Sequence, residues 1–128
     1  MIRHDGWWIP REHREADKYW RDVVKLERVW PHVKQWKLAI DGGAFIGIWA
    51  LAMAEKFKTV WAFEPDWANY ACLYLNNKER GRGNVRCINA ALSHGVRLMS
   101  MAGEYAPSTH LAEGPGETLC IPLDGLGG

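Results

Sequence analysis

A chain of 128 residues carrying 16 Lys plus Arg against 15 Asp plus Glu has a formal charge of +1. That length supports one modest hydrophobic core, and that balance supplies no field to gather nucleic acid or an anionic membrane. Three cysteines and five histidines, spread without C-x-x-C or ligand spacing, exclude a disulfide framework and a metal site from the expectations.

The N-terminus, Met1 to Arg14, holds only Trp7-Trp8-Ile9 as an apolar stretch, too short for a signal-peptide core. No later run is long enough to span a bilayer, so the chain is expected to be soluble and cytoplasmic. From Pro10 to Trp30 the apolar residues Ala16, Tyr19, Trp20, Val23, Val24 and Trp30 fall at helical spacing between charged ones, which predicts a helix opened by Pro10 and closed by Pro31. Lys37 to Ile40, ending on Asp41, predicts a strand. Gly42-Gly43-Ala44-Phe45-Ile46-Gly47 follows as a turn, and Ile48 to Phe57 as a helix. Thr59 to Phe63 is β-branched and aromatic and ends at Glu64-Pro65, a second strand. Asp66 is placed to cap a helix with Trp67, Tyr70, Ala71, Tyr74 and Leu75 on one face, and Gly81 and Gly83 supply its exit. Val85 to Ile88 makes a third strand.

That alternation implies parallel strands joined by right-handed crossovers, hence an α/β three-layer sandwich. Beyond Ser93, Val96 to Met101 and Thr118 to Leu123 read as strands of an antiparallel hairpin or flap around the loop Gly103 to Gly116. The expected organisation is a single domain, with a helical segment over 1–35, a ligand-binding core over 36–93 and a flap over 94–128.

Open α/β sheets bind ligands beyond the carboxyl ends of their strands. Asp41, Gly43, Ala44 and Gly47 follow the first strand, the glycines permitting a tight turn and close approach of a ligand to backbone N–H groups. Glu64 follows the second strand, 23 positions after Asp41, where a carboxylate can accept two ribose hydroxyl protons. Asn89 and Ala90 follow the third, where an amide and a small residue can border adenine. A nicotinamide or flavin dinucleotide site wants G-x-G-x-x-G in the first turn; here Phe45 stands where the second glycine belongs. Asp41 also repels a diphosphate, yet suits the sulfonium and amino group of S-adenosylmethionine.

The segments LAIDGGAFIGIWALAMAEKFKTVWAFEPDWANYACLYLNN and NVRCINAALS, with the acidic-Pro pair in AFEP and Leu73-x-x-Asn76 in the next helix, resemble the FkbM-type methyltransferases. The resemblance spans about Gly6 to Leu126, including GWWIP and IPLDGL. It implies a Rossmann-like class I methyltransferase fold and S-adenosylmethionine as cofactor. Asp41, Gly43, Ala44 and Gly47 would then cradle the methionine and ribose side, Glu64 would hold the ribose hydroxyls, and Asn89 and Ala90 would lie near adenine. It further implies O-methyl transfer to a hydroxyl of a small molecule or glycan.

Two departures from the family pattern stand out. Family members carry Asn or His where this chain has Phe45, and they continue after their L-D with a fourth strand bearing a K-I-D-x-E-G-like motif, whereas this sequence ends four residues after Leu123-Asp124. The chain is therefore expected to be a fragment whose first strand lies at a sheet edge, or else a homodimer closing that edge. The alternative to an active enzyme is a truncated module that holds S-adenosylmethionine without transfer. Glu104, His110 and Glu113 read as solvated loop residues, and no catalytic residue is assigned.

Overall fold

The computed structural model describes residues 1–13, 17–93, 97–102, 110–113 and 118–122, with side chains described over 1–13 and 20–93. Its centre is a parallel sheet of three strands, β3 (Leu38–Gly42), β4 (Thr59–Phe63) and β5 (Val85–Ile88), following β1 (Ile2–His4) and β2 (Trp7–Ile9). The order is β3-β4-β5, with Asp41 level with Ala62 and Gly42 level with Phe63. Strand-helix-strand units give this order because a right-handed crossover lays each new strand beside the last. Among the described residues β3 pairs only with β4.

The helices α2 (Ile48–Met53) and α3 (Trp67–Arg80), which follow the short α1 (Asp17–Asp22), share one face of the sheet. Ala39, Val60, Ala62 and Val85, at period two along the strands, join Ala50, Ala54, Phe57 and Leu73 in one buried cluster. Asp66 caps α3, its Oδ1 accepting the Asn69 N–H at 2.9 Å. Gly81 ends α3 in an extended rather than left-handed conformation.

α2 is shorter than the predicted Ile48 to Phe57. The Asn84 side-chain amide donates to the carbonyls of Ala54 (2.8 Å) and Phe57 (2.9 Å), satisfying the acceptors left by an early helix end. Phe57 thereby turns into the core, 4.9 Å from the ring of Trp36.

The N-terminal segment departs most from the sequence reading. Residues 2–9 form an antiparallel hairpin with Ile2 opposite Ile9 and His4 opposite Trp7. Its two-residue turn, Asp5-Gly6, has φ of 49° and 81°, the left-handed pair that Asp-Gly favours in such loops. The single helix predicted from Pro10 to Trp30 is broken into 3-10 turns at Arg11–His13, Val23–Arg28 and Trp30–His32, around α1. Val23 and Leu26, three residues apart, align on one side of the 3-10 helix Val23–Arg28; Val23, with Trp20 of α1, packs on the cluster of Ile9, Phe45, Ile46, Ile48 and Cys72, and Leu26 is buried. Pro31 sits inside the last of these turns rather than after the helix. Ala16 lies outside the described residues, as does the Tyr19 side chain.

A second sheet, of β6 (Ala91–Ser93), β7 (Arg97–Ala102), β8 (His110–Glu113) and β9 (Thr118–Pro122), runs in the order β6-β9-β7-β8. β7 and β9 are antiparallel, Arg97 opposite Cys120 and Met99 opposite Thr118, which is the expected hairpin. β8 adds a strand inside the stretch predicted as loop, pairing with β7. Glu104 and the side chains of His110 and Glu113 lie outside the described residues. A Cβ on Gly42 would stand 3.1 Å from Leu92 Cδ1, so β6 passes close to the carboxyl end of β3.

Among the described residues no helix is long and apolar enough to cross a membrane. No group of three metal-ligating side chains is found among them either. Cys72 is buried and Cys87 half-buried. Burial pushes both thiols up to about 11, leaving them protonated and unreactive near neutrality; the Cys120 side chain lies outside the described residues.

Candidate functional site

The turn from β3 into α2 needs three left-handed residues: Gly43 at φ 79°, Phe45 at 55° and Gly47 at 98°. Gly43 and Gly47 meet this demand without a Cβ, whereas Phe45 is a strained choice costing about 1 kcal/mol or more. Two contacts hold Phe45 there. Its N–H donates to Glu64 Oε2 at 2.8 Å, and its buried ring stands edge-on to His13, with centroids 5.3 Å apart. The phenyl group thus belongs to the core beneath the turn and ties it to the N-terminal segment, a role the sequence reading did not foresee.

Gly47 is further constrained by its neighbours. A Cβ there would lie 2.8 Å from Leu73 Cδ1, because the fully buried Leu73 side chain of α3 packs against the start of α2. Gly47→Ala is expected to lower stability by about 2 kcal/mol from strain and overpacking together, read as a shift in the urea midpoint at unchanged slope. A midpoint equal to that of the parent protein would show that the turn is not constrained in this way.

The backbone amides of the turn are turned inward. The N–H groups of Gly43 and Ala44 both donate to the Phe63 carbonyl at 2.8 Å, and that of Gly47 donates to the Ala44 carbonyl at 2.9 Å. With the Phe45 N–H on Glu64, the turn offers no row of free donors at Gly43, Ala44, Phe45 or Gly47. This corrects the expectation that ligand would approach those N–H groups, and it removes the feature by which a dinucleotide's phosphates are held at such turns.

Outward, the turn borders a cleft of about 270 Å³, just below the usual range of small-molecule sites, ~300 to 1,000 Å³. Asp41, Gly42, Gly43, Ala44 and Phe45 supply one side; Ile48 and Trp49 of α2 and Asp22 at the end of α1 supply the rest. A Cβ on Gly43 would meet nothing within 4 Å, so the backbone there faces open space. Asp41 is half-buried, but its Oδ2 is shut off from solvent and has no hydrogen-bond partner. Burial pushes its carboxyl up to about 6, offset in part by the Ala50 N–H.

Of the residues singled out in the sequence, Asp41, Gly43 and Ala44 meet at this cleft, and Gly47, Glu64, Asn89 and Ala90 do not line it. Glu64 is buried behind the turn, where its Oε1 accepts the Asp66 N–H at 2.9 Å while Oε2 holds Phe45. Burial raises its carboxyl to about 7 against these two donors. The Asn89 amide donates to the carbonyls of Glu64 (2.8 Å) and Pro65 (3.2 Å), fixing the bend after β4. Ala90 is fully buried and donates its N–H to the Ile88 carbonyl at 3.0 Å. Asp22 and Trp49 join the site unannounced. Trp49 could have been suspected from its place just after the glycine turn, but no local signal marks Asp22, which the fold brings in from the preceding segment.

No family model and no curated protein matches the chain. Among solved structures, "Putative methyltransferase yhhF from Escherichia coli" is similar over 66% of this chain, at 20% sequence identity and a TM-score of 0.52. The chain spans 46% of that structure's length. The likeness shows the fold alone, a Rossmann-like one of mixed α/β type.

Proposed function

We propose that this chain is the cofactor-binding part of an S-adenosylmethionine-dependent methyltransferase of the FkbM type, acting on a hydroxyl of a small molecule or glycan. The observation that carries this reading is the Asp41 Oδ2 atom, buried without a partner in a cleft whose lining, among the described residues, contains no lysine or arginine. A buried carboxylate without a counter-charge is costly, and a ligand that brings a cation removes the cost.

In this reading Asp41, Gly43 and Ala44 hold the methionine and ribose side of the cofactor, with Gly43 leaving the room it requires. Glu64 has spent one acceptor position on each oxygen within the protein, and a carboxylate retains further lone pairs for ribose hydroxyls. Asn89 and Ala90 border the adenine. When bound, the cofactor supplies an electrophilic methyl group on a positively charged sulfur. The protein's contribution is positioning, which reduces the barrier by orienting the two reactants.

Titration calorimetry at pH 7.5 tests this. S-adenosylmethionine is expected to bind at one site, NAD to give no heat, and Asp41→Asn to weaken binding by about tenfold or more, the value of one charge-assisted contact. Absence of S-adenosylmethionine binding to the parent protein at millimolar ligand would sink the reading.

A further inference from the structure

Trp49 has no evident structural duty. It lies in the first turn of α2 between Ile48 and Ala50, which are both buried, yet is itself 38% exposed. Other tryptophans of the chain pack ring on ring: Trp30 lies 5.9 Å from Trp36 and 6.3 Å from Phe57, and Trp7 lies 6.4 Å from Trp20. Trp49 has no aromatic neighbour of this kind among the described residues. Leaving so large an apolar surface in water gains nothing for folding.

What surrounds it gives the ring a use. The same cleft holds two carboxylates, Asp41 and Asp22, beside the apolar Ile48 and Ala44. Asp22 is steadied by Lys25, whose Nζ lies 2.8 Å from its Oδ1, while Lys25 does not line the cleft. An aromatic face beside two acids attracts a weakly hydrated cation, through the ring quadrupole and through the charges. An ammonium clothed in water suits this lining less well than a positive charge embedded in an apolar body. We propose that Trp49, together with Asp22 and Asp41, makes the cleft discriminate by charge, holding a sulfonium in preference to the neutral thioether of the same shape.

This inference rests on the proposed function, and the test separates the two. Dissociation constants are measured by calorimetry for S-adenosylmethionine and S-adenosylhomocysteine, which share the adenosyl group and amino acid and differ in the methyl and charge at sulfur. The parent protein is expected to prefer the sulfonium by about tenfold. Trp49→Leu should lose about fivefold in affinity for the sulfonium while its affinity for the thioether stays within about twofold; Trp49→Phe, which keeps an aromatic face, should retain most of the preference. Asp22→Asn should reduce the preference by about threefold at low salt, and less as ionic strength rises.

Equal affinity of the parent protein for the two ligands would overturn the inference and leave the proposed function standing. So would a Trp49→Leu variant that weakens both ligands alike, since that is the mark of lost packing rather than lost charge recognition. Failure of both ligands to bind the parent protein would overturn the inference and the proposed function together. Because Trp49 is partly exposed, its replacement should leave the melting temperature close to the parent value, and a variant that melts far lower would itself count against the assignment.

Discussion

Asn76→Ala is expected to lower the free energy of unfolding by roughly 4 kcal/mol, from the loss of its hydrogen bonds and the stranding of buried partners. Asn76 is fully buried and uses both ends of its amide. Its Oδ1 accepts the Trp8 N–H at 2.8 Å, and its Nδ2 donates to the Trp8 carbonyl at 2.9 Å and the Ile46 carbonyl at 2.9 Å. One side chain on α3 therefore acts as a strand partner for β2 and as an anchor for the turn at the candidate site. Its removal leaves three backbone groups unsatisfied in two segments, and a smaller side chain also opens a void. Asn77→Ala provides the comparison, since the Asn77 amide donates to one backbone carbonyl, that of Val85, at 3.2 Å; it should cost about 1 kcal/mol. Urea midpoints for the two variants measure the difference. Equal midpoints would mean that the N-terminal hairpin is not fastened through Asn76.

The ligand-free protein should be less stable at pH 8 than at pH 4.5 on account of Asp41 and Glu64, and a cationic ligand should reverse that trend. Burial raises Asp41 from 3.8 to about 6 and Glu64 from 4.5 to about 7. Both folded values exceed the unfolded ones, so between about pH 4 and 7 the folded chain binds more protons than the unfolded chain. The sign follows directly: stability falls as pH rises through that window and levels off above it.

Each group contributes roughly 3 kcal/mol at full effect, with the share of Asp41 smaller because the residue is only half-buried. The contributions are read as differences in thermal or urea stability between the parent protein and Asp41→Asn or Glu64→Gln across pH 4 to 8. Those differences should grow with pH in favour of the neutral variants. Affinity for S-adenosylmethionine should increase over the same interval, as Asp41 ionises to meet the sulfonium, with proton release on binding near pH 6. A stability difference independent of pH would show that neither carboxyl is held in the way the structure implies.

The parallel core was legible because its determinants are local. β4 at Thr59–Phe63 and β5 at Val85–Ile88 occupy the residues predicted for them, since a short run of β-branched and aromatic residues between turn formers has few other ways to bury itself. The Asp66 cap and the positive φ of Gly43 and Gly47 were also readable, each being a constraint that only a few residue types satisfy. The hairpin at residues 2–9 carried its own mark in Asp5-Gly6, within a stretch expected to belong to a helical segment over 1–35.

The sequence by itself thus determined the order of strands and helices in the parallel core, the acid ahead of the glycine turn and the acid after the second strand. Only the tertiary structure decided how those groups are used. Asp41 reaches the cleft with an oxygen unpaired, while Glu64, Asn89 and the turn amides are engaged within the protein. Asp22, Trp49, His13 and Asn76 acquire their places from packing between segments far apart along the chain. Periodicity and turn chemistry act over a few residues and are therefore written locally. A buried hydrogen bond or a cleft wall depends on which surfaces meet, and that depends on the whole arrangement of apolar faces at once.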